Sequence, residues 1–571
     1  MLAGAAALAV VGITYWRLWY GVDLTDESLY VVLPYRFVLG ARPFVDETTV
    51  AQQAGLLVFP FVWLYHLVAG DDGLVLFVRH LQFVLSLLVG AAVFVSLRPV
   101  LRSGAAALLL ACTAVAFAPF DIHSLSYNTL GGGLFTAGCL LGYLSLEPET
   151  NAAWLVVAGV CSGLAVFAYP SLIVAVVLCF ALRLALAPSR WRREIVGFGL
   201  PALVVGCAAM GAVVGVAGLH NVVAGYRRSS DYLGHGGGAG KLGDVFGHEW
   251  TTLHFWYLVL PALVLLGVLW HVNRRLAPLV LVPLPLLVLP GSLYHSFVSP
   301  SYTATLEYVA HYGALALPLL VLVWPRREAG RLFAVVWIPA LVAGFATAYS
   351  SNNGSVNFGI GFFPATLVTT AFLLWAIEEA LGATGPALGP AVWPAVLVPV
   401  LLLVLGWQIY RDGPFSDMTA AVDSGAYAGI RTSLNKKLFL ELFDRDLARI
   451  GPRCRIVFFR DFPAGYLLAR ARADTNSAWV ATVPAAKTDA YQQTLIRYWR
   501  RHGFPDVAVV MSRIPYEARR AARIERYRVD TPLVRLVRSP AYRVLSSHYN
   551  YVTYERRGST CGIGPVKPAG G

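Results

Sequence analysis

The stretch Asp23 to Glu47, DLTDESLYVVLPYRFVLGARPFVDE, decides how this chain is read. It follows directly on an apolar run at residues 2–20 and holds five carboxylates, Asp23, Asp26, Glu27, Asp46 and Glu47. The rest of the chain is poor in charge: 13% of its 571 residues are Asp, Glu, Lys or Arg, 57% are hydrophobic, and the mean hydropathy is +0.62. Carboxylates beside a bilayer are costly to desolvate, so a cluster of them at the end of an apolar segment points to a site. Arg36 and Arg42 lie between the two acidic groups.

Working outward, the composition is that of a polytopic α-helical membrane protein. Apolar runs near 2–20, 79–97, 104–120, 128–146, 152–168, 171–187, 195–218, 252–271, 277–292, 308–324, 331–348, 360–378 and 391–410 give about 13 transmembrane helices. Each is long enough, or nearly so, for a hydrocarbon core of about 30 Å. A further run, Gly55–Ala69, is short, contains Pro60 and His66, and ends in Gly70-Asp71-Asp72-Gly73. It is read as a re-entrant or interfacial helix of the first loop. With that loop outside, Arg98, Arg102, Arg190, Arg192, Arg193, Arg274, Arg275, Arg326, Arg327 and Arg331 fall on the cytoplasmic side, as the positive-inside rule requires. The loop Glu147–Asn151 carries no basic residue and dissents.

Beyond residue 410 the apolar runs stop. The expected division is a membrane domain, 1–410, with 21–78 as its first extracytoplasmic loop, and an extracytoplasmic domain, 411–571. From Arg411 onward there are 27 Lys and Arg against 14 Asp and Glu, which accounts for the whole net charge of +13. A basic domain beside a bilayer suits anionic headgroups or an anionic substrate, and nucleic acid is not an expected partner. Arg455–Phe459, Val507–Met511 and Tyr549–Tyr554 read as strands, and Lys487–His502 and Pro515–Tyr527 as helices, so the tail is expected to be α/β. Cys454 and Cys561 are the two cysteines of the tail and could pair in an oxidising compartment. HGGGAGKLGD at 235–244 is not a phosphate-binding loop of the Walker type, because Leu242 stands where Ser or Thr is needed. His248, Glu249 and His254 lack the spacing of a zinc protease helix.

Asp26-Glu27-Ser28-Leu29-Tyr30, then Arg36, Gly40, Pro43-Phe44 and Asp46, resemble the first-loop pattern of the GT-C membrane glycosyltransferases. The branch is that of the protein O-mannosyltransferases and aminoarabinose transferases. The turn at Gly70–Gly73 and Arg79 fit it too. Phe44 departs from the commoner Tyr, and Thr48–Gly55 stands where an aromatic-Pro-Gly is usual. The resemblance implies a polyprenyl-phosphate sugar donor and chemistry on the outer face of a bacterial plasma membrane. The acceptor would be a glycan or glycolipid of the cell envelope. No cofactor follows, and a divalent metal stays open.

That chemistry needs one carboxylate as general base for the acceptor hydroxyl, and positive charge for the departing phosphate. It does not need the two-carboxylate arrangement of a glycosidase. Asp26 is the candidate base, Glu27 its competitor, and Asp46 its partner in orienting the acceptor or holding an ion. Tyr30, Arg36, Arg42, Glu47, Arg227, Arg228, Lys241 and His311 are candidates for substrate binding. Asp23 reads as a flank, and Asp121 and His123 as interfacial caps. The competing reading is a transporter or flippase. It requires charges buried mid-membrane and inverted repeats, and the ionisable residues cluster instead at helix ends.

Overall fold

The computed structural model describes residues 2–49, 51–147, 149–233, 243, 245, 247, 260–273, 284–293, 303–351, 353–381, 388–480, 488–512 and 532–561. A helix lies on every one of the thirteen apolar runs wherever they are described. Among the described residues, six helices are long and apolar enough to cross a membrane, including Leu74–Leu97, Ala304–Val323, Arg327–Tyr349 and Gly354–Glu379. The chain is an integral membrane protein with a sheet-containing C-terminal region.

The chain divides into two compact units. The first comprises Met1–Leu18, His80–Gly211 and His235–Gln408 and is helical. At its centre runs Phe358–Leu381, packed against Ala304–Ala314, Ala316–Val323 and Ile338–Tyr349. A Cβ on Gly361 would lie 2.3 Å from the backbone of Ala343, so only glycine permits that approach. The hydroxyls of Thr369 and Thr370 donate back to the carbonyls of Ala365 and Thr366. Polar side chains in the middle of this helix are thus satisfied without water.

The second unit gathers Trp19–Arg79, Ala212–Gly234 and Ile409–Gly571. A boundary at residue 410 divides the chain by hydropathy; in the folded protein the first loop belongs to the same unit as the tail. The tail holds a five-stranded mixed sheet. Arg455–Phe459 pairs in parallel with Arg472–Ala473 on one side and Val507–Met511 on the other. Val507–Met511 pairs antiparallel with Tyr551–Arg556, which pairs antiparallel with Tyr542–Ser547. The interior strand Arg455–Phe459 is buried on both faces, which explains its unbroken apolar run, Ile456 to Phe459. Val457 and Phe459 join a core with Leu495, Trp499, Leu533 and Val537. On the other face Phe458 meets Phe443 and Phe462. Phe443 comes from the helix Leu434–Leu447, which the sequence reading missed. Thr488–His502 is helical as expected; Pro515–Tyr527 lies outside the described residues.

Cys454 and Cys561 form a disulfide, with Cα atoms 4.9 Å apart and 107 residues between them in sequence. A bridge closing so long a loop restricts the unfolded chain strongly. Cys561→Ala should lower the stability of the tail by about 2–4 kcal/mol. Thermal unfolding in detergent reads this out, and reductant should bring the wild type to the same value.

The loop Trp19–Arg79 contains two helices, Asp26–Val38 and Gln52–Ala69, packed on each other. A Cβ at Gly55 would sit 2.9 Å from Leu33 Cβ, so glycine sets the closeness of the pair. The run read as a short re-entrant segment is one continuous 18-residue helix, Gln52–Ala69, and by length and hydropathy it is among the six able to cross a membrane. It stops at Gly70, whose φ of 67° favours glycine. The turn that follows is stitched to the tail: Gly73 N–H donates to Gly425 O (3.0 Å), Gly425 N–H to Asp72 Oδ1 (2.7 Å) and Val75 N–H to Ala426 O (3.0 Å).

Candidate active site

The five acids of the first loop separate by what they touch. Asp23 precedes the helix Asp26–Val38 and caps it. Its carboxylate accepts the amides of Thr25 (2.9 Å) and Glu27 (2.7 Å) and the hydroxyl of Thr25 (2.6 Å). Burial raises its pKa to about 6, the nearby Arg411 guanidinium opposes the rise, and Asp26 adds to it. Asp26 and Glu27 then form the helix's first turn, where the dipole favours negative charge. Successive helical residues point about 100° apart, so the two carboxylates diverge.

Glu27 turns inward. Arg79 holds it through two parallel bonds, Nε to Oε1 (2.7 Å) and Nη2 to Oε2 (2.6 Å), and also donates to the carbonyls of Tyr20 and Gly21. Both members of this pair are buried. Asp26 turns toward the start of the tail. Its Oδ2 accepts the hydroxyl of Tyr410 and lies 3.1 Å from Arg411 Nη2, and its side chain is 23% exposed. Burial and the Asp26 charge hold the Tyr410 phenol well above its ordinary pKa, so it remains a hydroxyl donor. Arg411 also donates to the Thr25 hydroxyl. The next residue, Asp412, is a framework group: it pairs with buried Lys436 (2.9 Å) and accepts the Val22 amide (2.6 Å).

Arg36, Asp46 and Glu47 form a second cluster. Glu47 is wholly buried and its two oxygens accept from Arg36 (2.5 Å), the amides of Thr48 and Thr49 (2.9 Å each) and the amide of Ala478 (2.8 Å). Arg36 adds bonds to the carbonyls of Asp46 and Thr475, both 2.7 Å. These two residues clip the loop to the tail. Glu47→Gln removes a charged acceptor from four donors and should lower stability by about 3 kcal/mol, visible as an earlier unfolding transition in detergent. Asp46 closes its own turn, accepting the Arg42 amide (2.9 Å) and facing Arg42 Nε at 3.3 Å, an exposed pair. Among the described residues no group of three or more His, Cys, Asp or Glu is placed to hold a metal ion.

The remaining candidates are scattered. Tyr30 is buried in the loop helix. The helix Leu219–Leu233 reaches the first loop: Tyr226 lies on Phe44, ring centroids 5.6 Å apart, and a Cβ on Gly225 would strike Phe44 at 2.5 Å. Arg227 on that helix is exposed. The Arg228 side chain and all of Lys241 lie outside the described residues. His311 belongs to the other unit, on Ala304–Ala314. Asp121 there pairs with both Arg17 and His123.

Sequence reading missed Tyr410 and Arg411. The available signal was their position: Gln408-Ile409-Tyr410-Arg411 is the polar end of the last apolar run, beyond the helix that stops at Leu405.

No family model matches the chain, and no curated protein matches it. Among solved structures, it is similar to ArnT from Cupriavidus metallidurans bound to undecaprenyl phosphate. The identity is 16%, the cover 99% of each chain and the TM-score 0.44. The apo ArnT structure from the same organism matches at 14% identity, 98% cover of each chain and a TM-score of 0.45.

Proposed function

We propose that this chain is an inverting glycosyltransferase of the GT-C type, moving a sugar from a polyprenyl phosphate to a hydroxyl of a cell-envelope glycan or glycolipid on the outer membrane face. The observation that carries the reading is the Asp26 constellation, a partly exposed carboxylate flanked by a guanidinium and a phenol. Tyr410 and Arg411 both engage Oδ2, which leaves Oδ1 for the acceptor.

The acceptor oxygen attacks the anomeric carbon from the face opposite the phosphate. Asp26 takes the hydroxyl proton as the new C–O bond forms. The bond between the sugar and the phosphate oxygen breaks, its electron pair leaves with the phosphate, and the configuration inverts. Arg411 is the nearest cation to the base and supplies positive charge for that leaving group. Arg227 and Arg228, on the helix that reaches Phe44, are the second source. Glu27, with both oxygens held by Arg79, stands as support for the helix that presents Asp26. Asp46 acts by shaping its turn.

The test is transfer from a panel of radiolabelled polyprenyl-phosphate sugars in membranes containing the protein, followed as label entering envelope glycan and as free polyprenyl phosphate. Release from at least one donor is expected. No release from any of them overturns the proposal.

A further inference from the structure

Arg460 and Asp461 follow the interior strand Arg455–Phe459 of the tail sheet as two successive left-handed residues, φ 69° and 51°. Non-glycine residues avoid that region, and two in a row turn the chain sharply. Both amides donate to the carbonyl of Val480, at 3.0 and 3.2 Å, which holds the turn. Three residues on, the Ala464 amide donates to the carbonyl of Leu24 (3.3 Å), two residues before Asp26. The turn therefore lies against the approach to the candidate base. Asp461 Oδ1 is buried there with no hydrogen-bond partner among the described residues. Such an oxygen is costly for a structural aspartate, and nothing in the sheet requires it.

The charges around Asp461 are Arg411, Asp26 and Arg460. Asp23 acts on the same Arg411 and Asp26. Asp412 and Lys436 neutralise each other. Arg460 is also committed elsewhere, donating to the Ser512 carbonyl (3.0 Å). Arg411 is thus the shared cation of three carboxylates, Asp23, Asp26 and Asp461.

We propose that Asp461 is a positioning residue for the Asp26 site, controlling through its charge how much of the Arg411 guanidinium is available to the donor phosphate. The inference rests on the glycosyltransferase reading above. Burial raises the Asp461 pKa to about 7, with Arg411 and Arg460 opposing and Asp26 reinforcing the rise. Just below that pH Asp461 is neutral, and Arg411 answers to Asp23, which loses its own charge near pH 6, to Asp26 and to the phosphate. Above it a third carboxylate competes.

The test is the donor KM across pH 5.5–8.5, with the lipid-linked sugar that the transfer assay identifies. In the wild type the KM should rise about fivefold through a step near pH 7, the size of one screened charge interaction. Asp461→Asn should lack the step near pH 7 and keep only the change near pH 6 that Asp23, acting on the same Arg411, gives in both proteins, and Asp461→Glu should retain a step. A second readout does not use activity. A carboxyl whose pKa is raised on folding adds stability that is complete below about pH 4 and is lost as pH rises through about 7. The wild type should therefore melt progressively earlier than Asp461→Asn as pH rises from about 5 to 7, with the gap constant above that. An unchanged KM step in Asp461→Asn, or parallel melting of the two proteins, overturns the inference while leaving the transferase intact. Absence of transfer from every donor overturns both.

Discussion

Asp26→Asn should reduce sugar transfer by about 10²- to 10⁴-fold, the range lost when a positioned general base is removed. Protein level and unfolding temperature should stay close to wild type. Asparagine keeps the shape and still accepts the Tyr410 hydroxyl. What it loses is an ion pair with Arg411 in which both partners are partly exposed, 23% for Asp26 and 26% for Arg411. Pairs of that kind contribute little to stability. The comparison requires initial rates of transfer from the lipid-linked donor beside a melting curve of the same preparation. Transfer at wild-type rates would remove Asp26 from the base position.

Glu27→Gln should do the reverse. Glu27 and Arg79 are both buried, and their two parallel bonds tie the loop helix to Leu74–Leu97. Removing one charge leaves a guanidinium without its counter-ion away from water, which costs about 3–5 kcal/mol. The expected signature is a fall in unfolding temperature, with transfer per folded molecule retained. Replacing both partners, Glu27→Leu with Arg79→Met, should recover part of the loss, since no charge then stays buried alone. A Glu27→Gln protein that melts normally but transfers nothing would exchange the roles assigned to Asp26 and Glu27. Adjacent carboxylates are thus told apart by opposite outcomes on two scales.

Much of the fold was legible because its causes are local. Hydropathy located the helices, and β-branched runs located Arg455–Phe459 and Val507–Met511 to the residue. The Cys454–Cys561 bridge was open as a pairing because the tail holds only those two cysteines. The helix Leu434–Leu447 was not read, because its polar face of Asn, Lys, Glu, Asp and Arg hides a narrow apolar stripe. Pro60 makes Gly55–Ala69 read as a short segment, although the helix continues through it.

The site was legible in half. The first loop announced itself by its carboxylates and by the motif it carries. Which carboxylate faces outward depends on Arg79 for Glu27, on Arg36 and Ala478 for Glu47, and on Tyr410 and Arg411 for Asp26. Except for Arg36, these partners lie at least 50 residues from the acid they hold, and no periodicity in the loop encodes them. Asp461 had no signal at all, since an acid after an apolar strand looks like any strand end.

The Tyr410 hydroxyl that meets Asp26 lies 384 residues further along the chain. At ordinary synthesis rates of about 5–20 residues per second, the ribosome reaches that position roughly 20–80 s after Asp26 is made. Throughout that interval the acidic loop has left the ribosome without the phenol and guanidinium that later surround Asp26. If the proposed site is the catalytic one, a nascent chain should not begin transfer while its helices are still being inserted. On the proposed function, a chain ending before residue 410 should show no transfer above background, because Asp26 then lacks both Tyr410 and Arg411.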